Sequence, residues 1–150
     1  MPRVLTVREP WASWIMQGIP GGKDIENRTW RTHHQDWIVI HAAAALARPV
    51  PGQFPEFSPE VMAAVEKNRG RVLGIVHLLG CHLERTPECA FHGCESNPWA
   101  QWSQPGEKPI YHWELANPRR LVTPFRAEGH LGLWDATPTI EHLLKVEDWQ

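Results

Sequence analysis

Lys23, Glu26 and Arg28 place an amine, a carboxylate and a guanidinium within one short segment, directly after the Gly-rich turn Ile19-Pro20-Gly21-Gly22. A lysine beyond such a turn can reach a phosphate or carbonyl oxygen, and desolvation lowers its pKa enough to make it a base. Glu26 can accept from an exocyclic amine of cytosine, and Arg28 can clamp a phosphate or carboxylate. Read as extended chain, the segment puts Lys23, Ile25, Asn27 and Thr29 on one face and Asp24, Glu26, Arg28 and Trp30 on the other. The plain alternative is a surface ion pair, a contribution of about 0–1 kcal/mol.

The neighbouring residues extend the chemistry. The chain has nine tryptophans, more than a small domain buries with ease. Trp11, Trp30 and Trp37 flank the charged segment. Stacked on a base, such a ring contributes about 1–3 kcal/mol. Core packing is the expectation for Trp14 and Trp37, whereas Trp11 and Trp30 suit either role. Ser13 supplies a hydroxyl, and Arg31 a second guanidinium. His33, His34 and His41 titrate near neutrality and can act as acid or base. His41 ends an apolar run and is expected to be a hydrogen-bonded core or rim histidine; His33 and His34 are expected in solvent.

Cys81, His82, Cys89, His92 and Cys94 bring three thiols and two imidazoles together, enough for a tetrahedral zinc ion. The spacing lacks a paired Cys-x-x-Cys, so buried thiols and polar loop histidines are the expectation, with zinc the alternative. There is no Gly-x-Ser-x-Gly elbow, Walker loop or Gly-x-Gly-x-x-Gly, so no cofactor is expected.

These groups must be carried by a fold that 150 residues can build, with 42% hydrophobic and 21% charged residues. That length suits one domain over residues 1–150. Net charge is −2, so bulk charge does not announce a nucleic-acid partner. The distribution is uneven, however. Arg3, Arg8, Lys23, Arg28 and Arg31 precede residue 35, and the acid excess falls in the remainder. No apolar run approaches the ~18 residues of a membrane span. The N-terminus has no long apolar signal region, and three cysteines are an odd number; both suit a reducing cytoplasm.

Val4 to Val7 reads as a strand, and Pro10 to Gln17 as a helix ending at Gly18. Trp37 to Ala42 reads as a buried strand, with a brief helical turn in the alanines that follow. Pro49, Pro51, Gly52 and Pro55 make an irregular connection. Ser58-Pro59-Glu60 opens a helix running to Asn68 or Gly70. Arg71 to Leu79 reads as a central strand and Cys81 to Pro109 as a long polar loop, which can serve as a site or a protein-interaction surface. Ile110 to Ala116, Leu121 to Phe125 and Leu131 to Trp134 read as three short strands, and Thr139 to Val146 as a last helix. About six strands and two or three helices, mixed and non-alternating, suit an α+β small barrel.

Pro10-Trp11-Ala12-Ser13, Gly18-Ile19, Lys23, Glu26, Arg28, Trp30, Thr32 and Trp37-Ile38 to His41-Ala42 together resemble the ASCH domain, named for the activating signal cointegrator 1 homology region. Gly74, Trp113 to Pro118 and Gly129 to Trp134 fit the same pattern more loosely. The resemblance implies a PUA-like β-barrel with flanking helices and a cleft. It implies work on nucleic acid, mostly RNA. The ligand-binding set it points to is Trp11, Ser13, Lys23, Glu26, Arg28, Trp30, Arg31 and His41. Some members resemble ribonucleases, and others are amidohydrolases of N4-acylated cytidines, so the same cleft can be a hydrolase: a metal-independent ribonuclease, or an enzyme on a modified nucleoside, with Lys23 and Glu26 as catalytic groups. In the amidohydrolase branch a threonine nucleophile stands three residues after the lysine. Here Glu26 stands there, and a carboxylate is not that hydroxyl nucleophile. Gln35-Asp36 stand where many members carry Arg-Gly.

Overall fold

A computed structural model describes residues 2–16, 22–46 and 58–150. Six strands and four α-helices appear among them: β1 (Arg3–Glu9), α1 (Trp11–Met16), β2 (Ile25–Arg28), β3 (Trp37–Leu46), α2 (Pro59–Asn68), β4 (Arg71–Leu83), α3 (Pro87–Phe91), β5 (Tyr111–Arg126), β6 (Leu133–Asp135) and α4 (Pro138–Val146). The strands are hydrogen-bonded in the order β2-β5-β4-β3-β1-β6. The α+β class and the strand number are as expected; helices number four where two or three were expected. No described helix is long and apolar enough to cross a membrane. The expected helix end at Gly18, the turn at 19–21 and the connection at 49–55 lie outside the described residues.

The chain forms two compact units. One comprises Met1–Gly22, Trp37–Val76 and Asn117–Gln150; the other comprises Lys23–Asp36 and His77–Ala116. In the larger unit, β1 pairs parallel with β3, Val4 opposite Val39 and Thr6 opposite His41. It pairs antiparallel with β6, Val4 opposite Trp134. The uninterrupted run Ile38-Val39-Ile40 is buried at every position, as a strand covered on both faces requires. Val4, Val39, Val72, Leu121, Trp134 and Ile140 form its core. Local signals set the helix starts. Ser58 accepts from the Val61 N–H, and Thr137 from the Ile140 N–H. Each is followed by a proline, which has no N–H to leave unpaired.

In the smaller unit, β2 pairs antiparallel with β5, Glu26 opposite Trp113 and Arg28 opposite Tyr111. Trp113 is fully buried. Its ring meets Trp30 edge-on at 4.7 Å between centroids. The segment after β4 is ordered by one carboxylate: buried Glu84 accepts the backbone N–H groups of Ser103 and Ile110 and the Arg85 guanidinium.

Four expectations need correction. The alanines after His41 continue β3 to Leu46 rather than turning helical. Trp37 is 39% exposed rather than in the core. The expected loop from Cys81 to Pro109 contains the end of β4, α3 and a single 3-10 turn at Cys94–Ser96. The segments Ile110 to Ala116 and Leu121 to Phe125 are one strand, β5. Asn117 adopts a left-handed conformation, φ 54°, which a short polar side chain tolerates; the strand therefore passes Asn117-Pro118 without ending.

Gly74 sits where β4 approaches β5 within the larger unit. A Cβ there would lie 2.1 Å from the Arg119 carbonyl oxygen and 2.7 Å from Met16 Cε. The carbonyl is backbone and cannot step aside cheaply. Gly74→Ala is therefore expected to lower unfolding free energy by about 3 kcal/mol, read from urea midpoints. An unchanged midpoint would show that the two strands do not approach so closely.

Candidate functional site

The sequence brings Lys23, Glu26 and Arg28 together, though not by the expected alternation. Glu26 and Arg28 share a face of β2, as expected. Lys23 precedes the strand, so the period-2 rule does not bind it, and its amine turns to the same carboxylate. Lys23 Nζ lies 3.4 Å from Glu26 Oε1. Arg28 Nε and Nη2 both reach Glu26 Oε2, at 2.9 and 2.7 Å. Lys23 also donates to the Ile25 carbonyl, and its ammonium lies 5.9 Å from the centre of the Trp99 ring. Lys23 and Glu26 are buried, while the Arg28 side chain is 22% exposed. Burial holds the Lys23 amine below the usual lysine range, opposed by the charge of Glu26.

Loop contacts fix this cluster. Asn27 donates to the Trp99 carbonyl and accepts from the Gln101 N–H, both at 2.9 Å. Asn97 donates to Asp24. Exposed Arg31 places its guanidinium 5.9 Å from the centre of the Tyr111 ring. Arg28, Trp30 and Arg31 thus bring two guanidiniums and an indole within four residues, with Arg31 against the ring of Tyr111, the residue opposite Arg28. The arrangement can recognise an anion beside a planar group.

A second set of chemically able side chains lies in the same unit. His82, Cys89, Cys94 and His112 are all buried, with donor atoms within 4.8 Å of one another. Cys81 and His92 are outside this set. Cys81 is bonded to the backbone of Thr32, and His92 stacks on His82 and pairs with Glu114. His112 was not expected: it stands far along the chain from the Cys/His run and carries no spacing signal.

Ser13, Trp11 and His41 belong to the larger unit. Ser13 is buried; its hydroxyl donates to Glu9 and accepts from Asn68 at 3.1 Å. Trp11 stacks on Trp14 at 5.9 Å. His41 is hydrogen-bonded, as expected. Its Nε2 is 2.7 Å from the Ala127 carbonyl, so it donates there. Its Nδ1 then accepts from the Thr6 hydroxyl at 3.2 Å. Burial holds this imidazole below its usual range, which favours the neutral ring. His41 also lines a cavity of about 470 Å³ with Thr6, Gly70, Ala127, Gly129 and His130.

The sequence pattern of the ASCH domain matches residues 5–125. Activating signal cointegrator 1 of Homo sapiens is 27% identical over 138 residues, covering 87% of this chain and 21% of that protein. The chain therefore spans about a fifth of that relative. The crystal structure of ASCH from Zymomonas mobilis superimposes with a TM-score of 0.60 at 14% identity, covering 98% of this chain and 96% of that one. A single-residue variant of the Zymomonas protein gives 0.58 at 11% identity, with 98% and 99% covered. The two structural likenesses speak for the fold.

Glu9 is a further buried polar residue that sequence reasoning passed over. Alternation along β1 puts Leu5, Val7 and Glu9 on one inward face, which was the available signal. Its carboxylate is fully buried and accepts from the Ser13 N–H at 2.8 Å. Burial outweighs the Ser13 bonds and raises its pKa from 4.5 to about 7. A raised acid binds its proton more tightly when folded, so its contribution to stability is complete below pH 4.5 and lost as pH rises to about 7. Over that window, stability is expected to fall by on the order of 3 kcal/mol. Urea unfolding at a series of pH values measures this. Glu9→Gln should remove the slope, and an identical slope in that variant refutes the assignment.

Proposed function

This chain belongs to the ASCH domain family, and from that membership we propose that it binds RNA or single-stranded nucleic acid through Arg28, Trp30 and Arg31. The observation that carries the proposal is the fixed Arg28 guanidinium. Glu26 holds it by two N–H groups, and Lys23 holds Glu26. A guanidinium already in place loses little freedom on meeting a phosphate. Arg31 adds a second phosphate contact, and Trp30 a face for a base. Lys23 and Glu26 then act inside the protein, as the brace that positions Arg28.

Affinity should fall with salt as phosphate contacts release counterions. For a labelled single-stranded oligoribonucleotide followed by fluorescence anisotropy, Arg31→Ala is expected to flatten the log–log salt slope by about 0.7. Trp30→Ala should weaken binding by about tenfold with the slope unchanged. Absent binding, or affinity independent of salt, refutes the proposal.

One observation favours a hydrolase on the same residues: burial lowers the pKa of Lys23, which suits a general base. Glu26 would then orient the substrate. Incubation with RNA and, separately, with N4-acetylcytidine discriminates the readings. Turnover that disappears in Lys23→Ala supports the enzyme. No turnover on either substrate excludes these two reactions and leaves the binding proposal standing.

A further inference from the structure

We propose that His82, Cys89, Cys94 and His112 hold one structural zinc ion. The donors come from four places in the smaller unit: the end of β4, the middle of α3, the 3-10 turn and the start of β5. Local sequence aims each of them. Thr86 caps α3 by accepting from the Cys89 N–H, and Pro87 follows the cap; this starts the helix so that Cys89 is buried. Gly93 then turns left-handed, φ 68°, a conformation that costs an ordinary residue about 1 kcal/mol. That turn returns Cys94 to the cluster.

Two of the donor separations are those of a tetrahedral metal, and all four donors lie within 4.8 Å of one another. Zinc bonds of about 2.0–2.3 Å set tetrahedral donors roughly 3.3–3.8 Å apart. His82 Nε2 is 3.2 Å from Cys94 Sγ, and His112 Nδ1 is 3.6 Å from Cys89 Sγ.

The outer contacts fit as well. His82 turns its other nitrogen, Nδ1, to the Glu114 carboxylate at 3.2 Å. His112 turns its other nitrogen, Nε2, to the Gln101 carbonyl at 2.8 Å. Each oxygen accepts a hydrogen bond from the ring N–H, which leaves the cluster-facing nitrogen with a lone pair. Metal-bound histidines are oriented in this way.

Charge completes the argument. Binding releases one proton from each thiol, and two thiolates neutralise the dication. The result is a neutral complex, the form that a buried site tolerates. Four protein donors leave no open position, so the site is structural and takes no substrate. Its place adds a second tie to the segment after β4 that Glu84 also holds. Zinc would tie α3 and the 3-10 turn to both strands, and the same segment carries Trp99 to Lys23.

Native mass spectrometry of the full chain, purified without chelator, tests the proposal. The expected mass exceeds the apo chain by one zinc less two protons. Cys94→Ser and His112→Ala should lose the metal, while Cys81→Ser and His92→Ala should keep it. Glu114→Gln should weaken zinc affinity by about tenfold to a hundredfold. In case the ligand variants do not fold, the wild-type chain is also loaded with Co²⁺ alone. Tetrahedral d–d bands with thiolate-to-cobalt charge transfer are expected. A folded, reduced chain that stays apo under Zn²⁺ titration overturns the site. So does an octahedral cobalt spectrum, or metal that survives loss of both Cys94 and His112.

Discussion

A buried ammonium must be paired, and the pairing of Lys23 with Glu26 is the constraint on which the candidate site depends. An unpaired charge of this kind either gives up its proton or costs several kcal/mol. Lys23 is surrounded by its own segment's carbonyl, the Trp99 ring and one carboxylate. That carboxylate is shared with Arg28, so three side chains become one unit with a single positive charge. Removing Glu26 would strand one cation and loosen another. The carboxylate at this position thus has a structural reason that needs no catalysis, and it accounts for a site without a hydroxyl nucleophile at residue 26.

The same rule recurs at other buried polar groups, although the buried His34 Nε2 has no hydrogen-bond partner among the described residues. Glu84 is satisfied by two backbone N–H groups and Arg85, and it fixes the chain between β4 and β5. Glu9 is satisfied by Ser13, and Ser13 by Asn68. His41 sits in a relay from the Trp134 N–H through Thr6 to the Ala127 carbonyl. Each network joins elements distant in sequence. Such networks specify one arrangement rather than many, because a partly satisfied alternative carries the full desolvation cost.

What was legible in the sequence follows from whether the signal was local. Caps, prolines and alternation are local, and α2 and the Glu26/Arg28 face of β2 follow from them; α4 is read one residue short, with its Thr137 cap and Pro138 unused. Lys23 was placed on the opposite face because alternation was extended one turn beyond the strand. The usual core packing of tryptophan does not hold for Trp37, because a tryptophan at the first position of a strand can lie at its rim. The continuity of β5 was hidden by Asn117-Pro118, whose usual role is to end a strand. His112 was invisible for a different reason: its partners are set by the return of β5 beside β4, and no spacing rule encodes that.

The smaller unit differs from the larger in what holds it together. Ile25, Leu78, Trp99, Ala100, Trp113 and Leu115, with Cys89 and Cys94, supply its buried apolar side chains, a short set beside the aliphatic β1–β3 core of the larger unit. Small folding units with limited cores commonly rely on cross-links, metals or dense polar networks. Here Glu84, Asn27 and Asn97 supply the network, and the two thiols and two imidazoles stand where a cross-link would be most effective. The Lys23 site is built on this scaffold. Its precision therefore depends less on hydrophobic burial than on whether the polar groups around it are fully matched.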